Sequence, residues 1–532
     1  MNQLPDQSRL LVLALLFCLP ICSGAQEPNG ATTPEGVPVI KATSRLVVLD
    51  LVVTDGTGQL RNKLNRDDFR ITEDGAPQTI SSFEKPSDHP VPSGAMINST
   101  NDLEHLAPDA PVNIIVLDEI NTGFQDMAFA RYALTKYLNA QPEQISAPTL
   151  LVAVNFDKTG LTVIRDYTQN REDILRALDH HLARYPWNLE KGESPYLTMA
   201  KSLGALEQVT EAAKGHPGHK NIVWVGKGFP TINVSNVSLP PKSVDELNYA
   251  VRKLINMLTY SRITLYPVDP TMLTVPQVTL SDAGSLLQAA QNSPDTFPPQ
   301  DPLNSVISLT GLAKATGGKS FYSRNDVDKE IAECVRDGVN YYTIAYRPTN
   351  SSDAGKPYRR INVELTTPGL HAFYRDGYFA ANRDSTNGPE TPAADEKVGA
   401  AYDVLAAEES AMVYTGLTIS VAPKPGVPNM YVLEVPEGQL AWTAVGDAES
   451  SELMVAAAAV NNKSKVLVQH TEKITARRKS TETPDPNAVL RIEIALSPVV
   501  NTSRLRFIVR SDGNGRVGTA DIPDQNAAKE IR

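Results

Sequence analysis

A nearly continuous apolar run lies between Pro111 and a polar cluster. Val112 to Leu117 is almost unbroken and rich in β-branched residues. That pattern predicts a strand buried on both faces, as at the centre of a parallel sheet. It ends at Asp118, with Asn121 and Thr122 close behind. After Gly123, Phe124, Met127, Ala128, Leu134, Tyr137 and Leu138 recur at helical spacing. A buried strand thus delivers a carboxylate, an amide and a hydroxyl to the start of a helix. Ligands of open α/β sheets bind beyond the carboxyl ends of the strands. Oxygen groups there suit a hard cation such as Mg²⁺ or Ca²⁺. The plainer reading is that Asp118 caps the helix and Thr122 satisfies a loop amide.

The same alternation continues to about Val335. Strands are predicted at Leu150–Phe156, Leu161–Ile164, Ile222–Val225, Ile263–Val268 and Lys319–Tyr322. Helices are predicted at Arg171–Leu182, Tyr196–Ala213, Val244–Leu258, Val306–Ala315 and Asp326–Val335. Strands alternating with helices imply right-handed crossovers and a doubly wound, mostly parallel sheet.

Period-two patterns flank this block. Before it come Arg45–Thr54, Phe69–Glu73 and Gln78–Phe83, with Asp74-Gly75 expected as the hairpin turn of the last two. After it come Tyr341–Tyr346, Arg360–Thr366 and His371–Phe373. The first group has too few strands to stand alone. It is expected to pair with the second, which makes the α/β block an insertion in a β-sandwich. Asp384–Lys397 reads as a linker, and eight strand-like runs from Val413 to Ile522 predict an all-β sandwich. The predicted layout is therefore a signal peptide (1–25), an N-terminal β segment (44–84), an α/β domain (110–337), returning strands (339–380), a linker (384–397) and a C-terminal β-sandwich (398–523).

Composition narrows the setting. A chain of 532 residues is long enough for several domains. Its net charge of −11, from 50 basic and 61 acidic residues, gives no attraction for nucleic acid. Arg9, the apolar run Leu10–Cys22 and the small residues Ser23-Gly24-Ala25 read as a secretory leader. Cys22 leaves a lipid anchor open, although Ile21 is bulky where a small residue is wanted. Beyond the leader only Cys334 remains, so no intramolecular disulfide can form. These signals predict a secreted, periplasmic or cell-surface protein.

Several strings taken together resemble a known family. They are LDLVVTDGTGQL…DFRITEDGAPQTISSF, IIVLDEINT, IRDYTQNREDILRAL, IVWVGKGFP, ITLYPVDP, LAKATGGKSF and YYTIAYRPTN…YRRINVEL…GYF. The chain resembles the von Willebrand factor A (VWA) related family of acidobacterial secreted proteins over most of residues 44–380. The resemblance implies a Rossmann-like VWA domain that binds other proteins. In many VWA domains a divalent cation at the metal-ion-dependent adhesion site mediates binding. Three loops build that site, and the fit here is poor. The usual Asp-x-Ser-x-Ser stands as Asp118-Glu119-Ile120-Asn121-Thr122. Ile120 cannot ligate, though Asn121 beside it has an amide oxygen. Ser194 or Thr198 matches the second motif. The third, an Asp after the strand at Ile222–Val225, is replaced by Gly226-Lys227-Gly228.

Two cationic groups about 4 Å apart repel by roughly 4 kcal/mol at an effective dielectric near 20. Two arrangements follow. Lys227 faces solvent, and Asp118, Thr122 and waters hold a weak Mg²⁺ or Ca²⁺; or its ammonium replaces the metal and pairs with Asp118. Either way the metal site is weak or absent. Glu119, Asp157 and Asp269 also follow strands and are expected on the same rim, as attractors of a cation or basic partner or as helix caps.

Other signals carry less. Ala313–Ser320 (AKATGGKS) lacks the first Gly of a phosphate loop and runs from helix into strand, so no nucleotide is expected. His216-Pro217-Gly218-His219 reads as an exposed loop rather than, with His180 and His181, a zinc site. No G-x-S-x-G elbow or nucleophile–base set supports an enzyme. The leading expectation is an exported binding or adhesion module for a protein or surface polymer, with the membrane reached only through the leader or a lipid anchor. The competing one is an envelope hydrolase using the acidic rim.

Overall fold

The computed structural model describes residues 46–89, 94, 96–156, 160–183, 195–233, 241–271, 306–322, 325–349, 358–379, 403–408, 410, 412–461, 465–479 and 488–523. The leader over 1–25, the linker over 384–397, Asp157 and Ser194 lie outside these residues.

The chain is mixed α/β with several sheets. Its centre is a five-stranded sheet in the spatial order Ile263–Val268, Lys220–Val225, Val112–Asp118, Gln144–Val154, Leu161–Asn170. The first four strands run parallel. The last is antiparallel to its neighbour. All seven residues of the central strand are buried. Its alternate side chains divide between two cores. Val112, Ile114 and Val116 pack with the helices Pro195–Ala213, Pro241–Tyr260 and Leu309–Thr316. Ile115 and Leu117 pack with the helices Phe124–Asn139, Arg171–His180 and Val327–Val339. Both faces of the sheet are therefore covered, which is why the strand has no polar alternation.

Two antiparallel four-stranded sheets enclose a separate core. One orders Leu370–Phe373, Val47–Asp55, Tyr342–Tyr346 and Ile80–Glu84; the other orders Gly377–Phe379, Tyr358–Leu365, Phe69–Glu73 and Ala76–Gln78. Leu49, Leu51, Ile71, Tyr342, Ile344, Tyr346 and Ile361 fill the space between them. Each sheet thus combines strands from before and after the α/β block, alternating in the first and grouped two and two in the second. In the C-terminal region, three strands (Ser420–Pro423, Met430–Pro436, Val489–Ala495) face a second sheet built on Ala448–Val460. Leu433, Ile492, Val455 and Phe507 meet between them. This unit is tied to the α/β block through Thr415, whose N–H and hydroxyl both donate to Ala212 O, at 3.0 Å and 2.7 Å respectively.

Several elements differ from the sequence reading. The partner of Phe69–Glu73 across Asp74-Gly75 is Ala76–Gln78, and Ile80–Glu84 crosses to the other sheet. Asp74 and Gly75 both have positive φ, so the turn is tight enough for the short strand. Val306-Ile307 is extended, and its helix begins only after Ser308, whose hydroxyl caps Gly311 N at 3.0 Å. Lys319–Tyr322 contributes one bridge, Phe321 to Val268, rather than a strand. The strand expected at Val413–Val421 is confined to Ser420–Pro423. His216 and His219 are buried, not exposed: His216 Nε2 donates to Ala110 O (2.7 Å) and His219 Nδ1 meets Asp50 Oδ2 (2.9 Å).

Candidate functional site

The central strand carries Asp118 to the carboxyl edge of the sheet, on the face of the Pro195–Ala213 helix. There its carboxylate is enclosed. Oδ1 accepts from the backbone N–H groups of Ile120 (3.2 Å) and Asn121 (3.1 Å). Asn121 Nδ2 donates to both oxygens, at 3.0 and 2.9 Å. Oδ2 also accepts from the indole N–H of Trp224 at 3.0 Å. Trp224 comes from the adjacent strand, where it stands beside Val116. Burial raises the Asp118 pKa, against the opposing pull of Asn121, Trp224 and Ile120.

The network reaches the other two loops. Asn121 Nδ2 lies 3.0 Å from Ser202 Oγ, and Ser202 donates to Thr198 O at 2.9 Å. Because the Ser202 proton is committed to that carbonyl, its oxygen must accept, which fixes the Asn121 amide with its nitrogen inward. Thr122 Oγ1 accepts from the backbone N–H of Lys227 at 3.0 Å. Gly226, at φ +155°, makes this approach possible. A Cβ on it would lie 2.5 Å from Asp118 Cβ and 2.6 Å from Thr122 Oγ1.

Asp118, Asn121 and Thr122 are brought together, but the groups facing Asp118 are N–H donors. A hard dication takes oxygen ligands, so this donor set does not fit one. Asn121 offers its nitrogen, not its oxygen, to the site. Ile120 is fully buried in the core on the helical face. Thr198 contributes its backbone carbonyl to Ser202 and is itself buried. Lys227 has an exposed side chain and reaches the site only through its backbone. Its ammonium is not among the partners of Asp118, so the lysine–aspartate pair is not the arrangement found.

Glu119 leaves the strand in a different direction. It is fully buried, and its Oε1 lies 2.7 Å from His181 Nε2, just past the helix Arg171–His180. Its Oε2 has no hydrogen-bond partner among the described residues. Asp269 is half-buried and closes a turn, accepting from Thr271 N (2.9 Å) and Thr271 Oγ1 (2.8 Å). The expected acidic rim is therefore not a shared one: Asp118 and Glu119 serve separate internal networks. Around them the surface is partly apolar, with Phe124 65% and Leu182 84% exposed.

Sequence reasoning passed over Trp224, Ser202 and Gly226. Trp224 was read only as an apolar strand residue. A fully buried indole needs a partner for its N–H, and that need pointed to a carboxylate near the end of the neighbouring strand.

No family model matches the chain, and no curated protein matches it in sequence. Among solved structures 33 chains match. One is the VWA domain of SpRpn10, 12% identical, covering 36% of this chain and 98% of that one at a TM-score of 0.17. At that TM-score the likeness decides nothing about this chain, and the sheet order given above stands on its own.

Proposed function

We propose that the chain is an exported binding module of the VWA type, which takes a protein or surface polymer on the carboxyl-edge loops of its central sheet without a bound dication. The observation that carries this reading is the enclosure of Asp118 by Trp224 and Asn121 donors. Those N–H groups supply the positive ends of dipoles to the carboxylate that a cation would otherwise meet. What the edge offers outward is then shape and apolar surface, with Phe124 exposed at the start of its helix and Leu182 on the segment after Arg171–His180. Apolar and aromatic groups on a rigid support are the usual anchors of protein interfaces. The family strings in the sequence and the leader-like first residues support the VWA type and the export.

The test uses the full chain as bait for envelope extract, in EDTA and in Mg²⁺ with Ca²⁺, beside a Phe124→Asp/Leu182→Asp variant. Partners captured equally in both buffers and lost by the variant are the expected result. Capture abolished by EDTA would overturn metal independence. Capture kept in full by the variant would overturn the choice of surface. Calorimetric titration of Mg²⁺, Mn²⁺ and Ca²⁺ into the protein is expected to give no saturable heat.

A further inference from the structure

We propose that the outer edge of the strand Val466–Lys479 docks an extended acidic segment of another protein, which joins the sheet as an added strand. This surface belongs to the C-terminal region and does not depend on the carboxyl edge of the central sheet.

The strand has 14 residues and pairs along its whole length with Ala448–Val460. Among the described residues no strand pairs with its other side. A free edge offers a row of backbone N–H and C=O groups, which is the basis of strand addition. The far edge of the same sheet is treated differently. There Val517–Pro523 is closed by the preceding segment: Thr519 N donates to Tyr414 O (2.9 Å) and Tyr414 N to Thr519 Oγ1 (2.7 Å).

The side chains along the free strand divide sharply. Ile474, Ala476 and Arg478 turn inward; the Arg478 guanidinium lies 4.2 Å from the Trp442 ring and bonds Glu449 at 2.7 Å. Gln469, Thr471, Lys473, Thr475, Arg477 and Lys479 form the opposite row, and every one is exposed. That row holds three cations and no carboxylate. Lys473 shares its charge with Glu452 (2.5 Å) and Asp512 (3.4 Å), whereas Arg477 and Lys479 make no ion pair among the described residues. On a chain of net charge −11 this is a local reversal of sign. The exposed edge strand of the facing sheet, Val489–Ala495, has no such excess: Arg491 pairs with Glu434 and Glu493 with Lys424.

Charge selects the occupant. In edge-to-edge pairing with a second copy, Lys473, Arg477 and Lys479 would meet one another, and like charges across a strand pair are destabilising. A strand with carboxylates on alternate positions meets the row with the opposite sign. The contrary role for edge lysines is to guard the edge against any pairing. The two roles differ in whether backbone pairing occurs.

The experiment is a fluorescence anisotropy titration of the full chain with three labelled peptides. One alternates Glu and Val, the second is the same with alternate amides N-methylated, and the third alternates Lys and Val. Wild type is compared with Arg477→Glu/Lys479→Glu, whose sites are exposed, with circular dichroism and melting temperature checking the fold. The Glu–Val peptide is expected to bind saturably, and about tenfold or more weaker to the variant. The methylated and Lys–Val peptides are expected not to saturate. Failure of the Glu–Val peptide to bind overturns the proposal, as does equal binding of the methylated peptide, which would mean that charge acts without strand addition. Undiminished affinity in the folded variant also overturns it.

Discussion

Trp224 and Asp118 are joined across two neighbouring parallel strands by a 3.0 Å hydrogen bond between the indole N–H and Oδ2, with both side chains fully buried. The pair fixes the end of the central strand to its neighbour at the edge where the loops diverge. It also fills, with an uncharged donor, the space beside the carboxylate.

Trp224→Phe keeps most of the ring and removes the donor. A buried carboxylate oxygen then loses a partner, which costs about 1–3 kcal/mol. Urea unfolding of the two proteins measures it. Asp118→Asn, though isosteric, is expected to lose a similar amount, since an amide nitrogen would face the donors of Asn121 or Trp224. If both changes stay within about 0.5 kcal/mol, as at an ordinary surface site, the network has no structural weight.

Gly226→Ala tests the contact from the other side. The residue sits at φ +155°, and its Cβ would fall within 2.6 Å of both Asp118 and Thr122. Neither neighbour can retreat, because Asp118 is held by four donor groups and Thr122 by Lys227 N. The expected cost is about 3 kcal/mol, at the upper end for overpacking. Gly56→Ala, where a Cβ meets nothing within 4 Å, serves as the control and is expected to change stability little.

How far the sequence led can be judged from particular residues. The central strand was readable because both its faces are buried and only Asn113 interrupts the apolar run. Helix ends with explicit caps, such as Ser308 and the left-handed Gly317 around Leu309–Thr316, were readable to within a few residues. The turn partner of Phe69–Glu73 was misassigned because Pro77 hid a three-residue strand. The antiparallel strand Leu161–Asn170 extends well past Ile164, because Arg165 and Asp166 interrupt an apolar pattern that tertiary pairing overrides. The site was legible as a location but not as a mechanism. Asp118 could be placed at a strand end from its own neighbours, whereas Trp224, which bonds it, and Ser202, which bonds Asn121, lie 106 and 84 residues beyond Asp118. The buried histidines were missed for the same reason: Asp50, which holds His219, is 169 positions away.

That histidine belongs to a charged cluster at the amino edge of the sheet, and its pH response follows from the directions of the shifts. Arg262 bonds Asp50 at 2.7 and 3.0 Å, and Thr343 Oγ1 donates to it at 2.8 Å. Burial would raise the Asp50 pKa, but Arg262 and His219 outweigh it and hold the carboxyl well below its usual range. Burial lowers the pKa of His219, against Asp50, and that of His216 to about 3, helped by Lys220. Groups whose folded pKa is depressed give stability above their unfolded pKa and lose it as pH falls. For the histidines that loss begins near pH 6.5 and for Asp50 near pH 4. Melting temperature is therefore expected to drop steadily from pH 7 to pH 4. His216→Gln should remove up to one proton from the slope, about 1.4 kcal/mol per pH unit. A wild-type profile that is flat or rises toward pH 4 would contradict the cluster as described.

The last prediction concerns Glu119 and His181. Glu119 is fully buried, with one oxygen on His181 and the other without a partner among the described residues. His181→Ala removes the remaining side-chain contact and leaves a buried carboxylate facing a void. Breaking a buried pair from one side costs about 3–5 kcal/mol. Removing the carboxylate as well relieves most of that, because the penalty lies in the stranded group rather than in the lost bond. His181→Ala/Glu119→Leu is therefore expected to be more stable than His181→Ala alone, with a coupling of about 1–3 kcal/mol in a double-mutant cycle. Chemical denaturation of the four proteins gives that number. Additive losses would mean that Glu119 finds another partner, and that the helix end at His181 is not held to the central strand through this contact.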